Sequence, residues 1–310
     1  MSNSTKLNRR SALIGAATLP LAVSAATTTR AASPMLGGTE AQFKRVVLGE
    51  FEVTTILAGS AVREEPQTIF GMNVDADTFA AATTAAKLPV DKVRFYFSPT
   101  VVNTGAELIL FDTGLQGPAT VAALAAAGYT PDQIDVVVIT HMHGDHIGGL
   151  ITEGNPTFPN AKYVTGSAEF DHWAKAENEN FEGKVRPLAD QFTMLNDGGS
   201  VASGITAMDT SGHTPGHMAY MVESAGQQLA ICADFANHHI WSLGYPDWEV
   251  RFDMDKAAAA ATRRRVLDML ATDKVPFIGY HMPFPSIGYV DKGTSEQAFH
   301  YVPHTYQLSL

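Results

Sequence analysis

The chain has 310 residues, of which 45% are hydrophobic and 17% charged, so it can bury a large core and is not expected to be disordered. Its 21 basic and 32 acidic residues give a formal net charge of −11, which argues against nucleic acid or an anionic membrane surface as a partner. A neutral or cationic substrate suits this charge, unless a local cationic site overrides it. The single cysteine, Cys232, excludes an intramolecular disulfide and a cysteine-rich zinc site.

The first 32 residues have the pattern of an export signal. Arg9 and Arg10 precede an apolar stretch from Ala12 to about Ala26, and small residues follow. The adjacent arginines resemble a twin-arginine signal, which exports proteins that are already folded. An apolar run of about 15 residues is shorter than the roughly 20 that a membrane-spanning helix needs. We therefore predict a signal peptide at residues 1–32 with an undefined cleavage point, and a periplasmic or secreted single domain at residues 33–310.

The first half of this domain is predicted to contain strands and one helix. Residues 46–57 have strand composition with a turn near the middle, and 95–102 and 107–112 have the pattern of a strand pair. The alanine-rich segment 120–127 ends at a glycine, which suits a short helix. The β-branched run 134–140 is typical of a strand that is buried on both faces.

The second half continues the alternation of strands and helices. Residues 218–223 and 227–233 are predicted to form a hairpin, and 275–280 a further buried strand. A long helix is expected from about Asp255 to Ala271, with Asp253 as its N-cap. The arginine run at positions 263–265 is expected to be a solvated part of this helix. The pattern indicates one α/β domain without an internal repeat.

The most informative segment is THMHGDH, which directly follows the buried strand ending at Thr140. His141 and His143 are two positions apart, so in extended backbone both rings project to one side and can share a metal ion. Asp145 and His146 then point elsewhere and can hold a second ion. Three buried imidazoles and a carboxylate would be costly without a metal or a dense hydrogen-bond network.

Three later segments each place a possible ligand at the end of a strand. The loop SGHTPGH contains His213 and His217, Asp234 ends the second strand of the hairpin, and His281 follows the last buried strand. A single histidine at a strand end is unremarkable. Together with the first cluster, these segments supply five imidazoles and two carboxylates, which is the ligand set of a two-metal site.

These motifs resemble the metallo-β-lactamase superfamily. The resemblance implies an αββα sandwich with a dinuclear metal site along its edge. Asp112, in the segment FDTG, would orient the metal loop, and His213 would be structural. The implied ligands are His141, His143 and His217 for one ion, Asp145, His146 and His281 for the other, and Asp234 as the bridge.

Several segments resemble the branch of that superfamily that contains methyl parathion hydrolase and related lactonases. These segments include LGEFEV at 48–53 and HMPFP at 281–285. In this branch an aromatic residue at the position of Trp173 lines the pocket. The predicted pocket residues are Trp173, Phe181, Gln116 and Asn237.

The resemblance implies hydrolysis by a hydroxide held between two divalent ions, with Asp145 or Asp234 passing a proton to the leaving oxygen. Zinc is the default for a histidine-rich site, and manganese, cobalt or iron suits the same ligands. We predict an exported hydrolase that opens small neutral lactones or cleaves similar neutral esters. The first alternative is an aryl organophosphate triesterase, and a less favoured one is a non-catalytic periplasmic binding protein. No nucleic acid or membrane span is expected, and a homodimer is left open.

Overall fold

The computed structural model describes residues 33, 35, 37–293 and 297–305. The predicted signal peptide at residues 1–32 lies outside this part of the chain. In the described part, no helix is long and apolar enough to cross a membrane.

The described chain forms two large sheets and two small ribbons. One seven-stranded sheet has the order β1-β2-β5-β6-β7-β10-β11, and the other has the order β12-β13-β14-β15-β16-β17-β18. Ribbons β3-β4 and β8-β9 lie outside them. The strands are β1 (Phe43–Leu48), β2 (Phe51–Ile56), β3 (Gly59–Glu64), β4 (Lys92–Phe97), β5 (Thr100–Asn103), β6 (Leu108–Phe111), β7 (Val136–Ile139), β8 (Ile151–Thr152), β9 (Asn155–Pro156), β10 (Lys162–Gly166), β11 (Phe192–Leu195), β12 (Ser200–Ala202), β13 (Ile205–Asp209), β14 (Met218–Ser224), β15 (Gln227–Ala233), β16 (Phe277–Gly279), β17 (Ile287–Lys292) and β18 (Phe299–Pro303).

Helices cover the outer faces of the two sheets. Leu124, on a helix, packs with the first sheet, and Leu267, on the longest helix, packs against Phe277 of the second sheet. The molecule is therefore the predicted αββα sandwich. The helices are α1 (Ala76–Ala85), α2 (Gly117–Ala126), α3 (Gly144–Ile147), α4 (Ser167–Trp173) and α5 (Lys256–Asp273), with shorter helical turns at Pro66–Thr68, Pro131–Gln133, Phe181–Val185 and Arg186–Gln191.

Strand β7 shows why its sequence is apolar at every position. Val136 and Val138 pack into the core between the two sheets, whereas Val137 and Ile139 pack against the helices on the other side. Because successive side chains of a strand point to opposite faces, a strand between two apolar layers needs no polar residue. Packing on both faces therefore fixes the end of β7, which is where the histidine loop begins.

Two sequence predictions about element boundaries are wrong. The predicted strand 95–102 is divided at Ser98 and Pro99 into β4 and β5, which belong to different sheets. Asp253 does not cap the long helix, because Asp255 is the N-cap and accepts a hydrogen bond from the Ala258 N–H. The predicted hairpin of β14 and β15 is present.

We expect Asp255→Ala to lower the free energy of unfolding by about 1 kcal/mol, since the first turn of α5 loses its acceptor. Urea denaturation with an unchanged m-value measures this effect. Asp268→Ala, at an exposed position of the same helix, is the control and should change stability by less than about 0.5 kcal/mol. Equal stability of the two variants would contradict the capping role.

Candidate metal centre

The metal-ligand candidates lie at the ends of strands from both sheets. His141, His143, Asp145 and His146 follow β7, and the helix α3 begins within this loop. His213 precedes β14, Asp234 follows β15, and His281 follows β16. Because β15 and β16 are parallel, their carboxyl ends meet at one edge.

The first group of possible ligands is made of three imidazoles. The Nε2 atom of His141 lies 3.2 Å from Nδ1 of His143, and Nε2 of His213 lies 3.0 Å from the same Nδ1. The three ligand atoms are within 4.8 Å of one another. Three nitrogen ligands at this spacing can surround one divalent ion.

The second group contains Asp145, His146 and His281. Oδ2 of Asp145 lies 3.7 Å from Nε2 of His146 and 3.3 Å from Nε2 of His281. These atoms also lie within 4.8 Å of one another, so this group can hold a second ion.

Asp234 connects the two groups. Its Oδ2 atom lies 3.6 Å from Nε2 of His213 and 3.1 Å from Nε2 of His281, while its Oδ1 atom lies 3.5 Å from Nε2 of His146. A carboxylate in contact with both groups has the position of a bridging ligand.

Two buried atoms of the cluster test whether metal ions fit here. Nε2 of His146 and Oδ1 of Asp234 are buried and have no hydrogen-bond partner among the described residues. A buried polar atom without a partner costs about 1–3 kcal/mol, and a cation beside both atoms would remove that cost. The nitrogen and carboxylate donors suit zinc and also manganese, cobalt or iron.

Carbonyl and carboxylate oxygens fix the tautomers of three of the possible imidazole ligands. Nδ1–H of His146 donates to Asp112 Oδ2 at 2.8 Å, and Nδ1–H of His281 donates to the Tyr96 carbonyl at 2.7 Å. Nδ1–H of His213 donates to Asp253 at 2.9 Å. Each bond leaves the Nε2 lone pair free to bind a metal ion. Asp112 also accepts hydrogen bonds from the backbone and hydroxyl of Thr140, which agrees with the orienting role predicted for it.

His217 is the one predicted ligand that is not among the grouped ligand atoms, although its ring centroid lies 5.0 Å from that of His141, and His213 takes its place. Nε2 of His217 accepts a hydrogen bond from the Asp234 backbone N–H at 3.1 Å, and its Nδ1–H donates to Thr210 at 2.8 Å. Both ring nitrogens are therefore used within the protein. The geometry therefore favours His213 over the predicted His217 as the ligand that SGHTPGH supplies.

Asp253 and Arg263 are site residues that the sequence prediction placed wrongly. Arg263 was expected to be solvated, yet it is fully buried. It donates to Asp253 Oδ2 at 2.7 Å and to the carbonyls of Pro246 and Phe235. The guanidinium thereby holds the carboxylate that orients His213. Burial tends to raise the pKa of Asp253, but its bond from His213 and the charge of Arg263 lower it below its usual range.

Glu169 is a second buried carboxylate that sequence reasoning missed. It is fully buried on α4 and accepts four hydrogen bonds. Two come from the Met142 N–H at 2.8 Å and the Trp173 indole at 2.7 Å, and two come from the Thr214 hydroxyl at 2.7 Å and the Gly216 N–H at 3.0 Å. Glu169 thus ties the first histidine loop to the second, and no local sequence signal marks it.

Burial and charge shift the pKa values of the cluster in opposite directions. Burial lowers the pKa of His141 well below its ordinary value and that of His143 to about 3. Burial also opposes protonation of His281, but the carboxylates of Asp234 and Asp145 raise its pKa to about 10. Neutral imidazole is the form that binds a metal, so His281 must release a proton when it binds one.

A cavity of about 450 Å³ opens beside the cluster. Ligand candidates His143, Asp145, Asp234 and His281 form part of its wall. The rest of its lining is given by Arg63, Phe95, Phe97, Leu115, Gly144, Gly148, Asn180, Lys184 and Phe252.

None of the four predicted pocket residues is among those that line this cavity. Trp173 is buried and bonded to Glu169, and Phe181 is fully buried in the core. Gln116 is exposed at the start of α2. Asn237 is buried and donates from Nδ2 to Asp234 Oδ2 at 2.9 Å, so it holds the bridging carboxylate rather than a substrate.

A model of the metallo-beta-lactamase superfamily matches residues 98–276, which is more than half of the chain. The chain belongs to this superfamily. An N-acyl homoserine lactonase of Bacillus cereus is 25% identical over 162 residues, covering 52% of this chain and 61% of the relative. One from Bacillus sp. is 26% identical over 162 residues, covering 51% and 60%. The matches span about three-fifths of the length of these relatives.

Two solved structures share the fold over most of the chain. AidC, a dizinc quorum-quenching lactonase solved with a product, has a TM-score of 0.77 at 23% identity, covering 85% of this chain and 97% of its own. The hydrolase AbOPH of the beta lactamase superfamily has a TM-score of 0.78 at 22% identity, covering 86% and 99%. At these identities the likeness establishes the fold.

We expect His213→Gln and His217→Gln to differ in metal content. The first variant removes a nitrogen of the cluster and should retain about one ion fewer per folded chain. The second leaves the cluster complete and should retain the wild-type number, with lower thermal stability because its two hydrogen bonds are lost. Elemental analysis after gel filtration measures the ratio. Loss of metal from His217→Gln alone would reverse the assignment.

We expect Glu169→Gln to weaken metal affinity by about tenfold, because the amide nitrogen faces groups that themselves donate hydrogen bonds. Competition with a chromophoric chelator measures the affinity. Glu182→Gln is the matched control, since Glu182 is exposed and paired with Arg186. An unchanged affinity in a folded Glu169→Gln variant would show that the two loops hold the ligands without this carboxylate.

Proposed function

We propose that this protein is a metal-dependent hydrolase that opens lactones or cleaves similar esters with two divalent ions. The observation that carries the proposal is the position of Asp234 between two groups of ligands, beside a cavity with aromatic walls. The similarity to N-acyl homoserine lactonases supports the choice of a lactone as the model substrate.

When bound, the two ions would polarise the scissile carbonyl and lower the pKa of water enough to supply hydroxide near neutral pH. The side chains of the first and second groups and Asp234 would hold them. Phe95 and Phe97 form an apolar wall beside His281, with ring centroids 5.2 and 5.6 Å from its ring, and Phe252 lies against Phe95. This wall would seat the apolar part of a substrate and exclude bulk water.

Asp145 is better placed than Asp234 to pass a proton to the leaving oxygen. Its side chain is 23% exposed and lines the cavity, whereas the Asp234 side chain is 4% exposed. Asp234 Oδ2 also accepts a hydrogen bond from Asn237, which fixes it as a ligand. We therefore assign proton transfer to Asp145, whose backbone carbonyl accepts a hydrogen bond from the Tyr280 hydroxyl at 2.6 Å.

The triesterase alternative has less support from the geometry. The resemblance to the branch that contains methyl parathion hydrolase implied that Trp173 lines the pocket, but its indole is buried and bonded to Glu169 and does not line the cavity.

Export of the protein is also proposed, and the arginine pair and apolar run within residues 1–32 support it.

The test is a comparison of kcat/KM for hexanoyl homoserine lactone, an aryl ester, paraoxon and a cephalosporin, with metal content counted. We expect lactone turnover to exceed paraoxon turnover by at least about 100-fold. Chelation should abolish turnover and added zinc should restore it. Asp234→Asn should keep the fold, lose an ion and reduce turnover by at least about 100-fold.

The control for this panel is Asp255→Ala, which lies outside the cavity and should hydrolyse each substrate as the wild type does. Faster turnover of paraoxon than of the lactone would favour the triesterase. No turnover of any substrate by a protein that holds two ions would contradict the proposal.

A further inference from the structure

The cavity over the metal centre contains two cationic side chains that the proposed mechanism does not use. Arg63 and Lys184 both line it, and Asp145 and Asp234 of the ligand cluster are its only acidic lining residues in the described chain. The whole chain carries a formal charge of −11. These two positive side chains in the cavity wall are therefore opposite in sign to the net charge of the chain.

Arg63 stands at the end of the aromatic wall. Strands β3 and β4 pair antiparallel, with Ala61 opposite Phe95 and Arg63 opposite Val93, so Arg63 is on the same face as Phe95. One strand repeat of two residues places Arg63 about 7 Å beyond Phe95, on the side away from Phe97. A substrate lying along the wall from the ligand cluster would reach the guanidinium with its far end.

No carboxylate among the described residues neutralises these two cations. Arg63 is exposed and has no hydrogen-bond or ion-pair partner there, and the following residue, Glu64, alternates to the opposite face, in register with Lys92. Lys184 donates from Nζ to the Ile151 carbonyl at 2.8 Å, which positions the ammonium and leaves its charge unbalanced.

We propose that the substrate carries a carboxylate at the end remote from its scissile ester, and that Arg63 binds this group with help from Lys184. This inference rests on the proposed function and refines the neutral substrate expected from net charge. A guanidinium presents two parallel N–H donors that match a carboxylate, and an ammonium adds a point charge. Esters or lactones of dicarboxylic acids have this chemistry.

The test compares two chromogenic esters of equal chain length, mono-4-nitrophenyl adipate and 4-nitrophenyl hexanoate, with the metal-loaded full chain. We expect a KM about tenfold lower for the adipate ester, with similar kcat values. Arg63→Gln should remove this preference by raising the KM of the adipate ester alone, and Lys184→Gln should reduce it.

Arg94→Gln is the matched control. Arg94 is exposed on the neighbouring strand of the same ribbon, but it lies opposite Val62, on the other face, where it donates to Ser60 at 3.1 Å. This variant should keep the wild-type preference. Equal KM values for the two esters in the wild type, or equal effects of Arg63→Gln on both, would overturn the proposal while leaving the hydrolase function intact.

Absence of turnover for both esters would count against the proposed function, and binding then decides this inference separately. Calorimetric titration with adipate and hexanoate should show tighter binding of adipate, and Arg63→Gln should abolish the difference. Equal binding of the two acids, or a difference that survives in the variant, would overturn the carboxylate site.

Discussion

The carboxylate of Asp234 lies among imidazoles of both ligand groups, and the metal centre is organised around that contact. Burial tends to raise the pKa of this group, but the charges of His281 and His146 lower it well below its usual range. A buried carboxylate of this kind requires cationic partners. Two metal ions held by these residues would satisfy that requirement and would leave the imidazoles neutral.

Three further buried carboxylates hold the loops that supply the ligands. Asp112 anchors the first loop through Thr140 and His146, and Asp253 orients His213 while Arg263 holds it. Glu169 connects the first loop to the second through both of its oxygens. Because each carboxylate accepts two or more hydrogen bonds, the ligand positions follow from a network rather than from the loops alone.

The two sheets explain why these loops meet at one place. The first loop continues from β7 in the middle of one sheet, while Asp234 and His281 follow adjacent parallel strands in the middle of the other. Packing of the sheet faces against each other brings the strand ends together. The ribbon β3-β4 then closes one side of the cavity with its phenyl rings and places Arg63 at the mouth.

Local sequence signals predicted most of the ligand set, and the resemblance of these motifs to a known superfamily implied the sandwich. A β-branched run followed by HMHGDH marks both the strand and its metal loop, and the structure brings six of the seven predicted ligands together. The choice between His213 and His217 has no local signal, since both occur in one motif and only the tertiary hydrogen bonds of His217 distinguish them.

The substrate cavity was predicted least well, because its lining residues also have no local sequence signal. Its walls come from segments far apart in the chain, such as β4 and the helical turn after Asn180. Strand alternation shows that Phe95 and Phe97 share a face, but only the pairing of β4 with β3 shows what that face borders. Trp173 has the aromatic character expected of a pocket residue, but a buried carboxylate on the preceding turn of its own helix takes its N–H.

The most direct test of the account is anomalous diffraction at the zinc edge from a crystal of the zinc-loaded protein. Two peaks about 3.5–4 Å apart are expected. Asp234 should touch both ions, with His213 bound to one and His217 bound to neither. A single peak, or an ion coordinated by His217, would contradict the dinuclear centre described here.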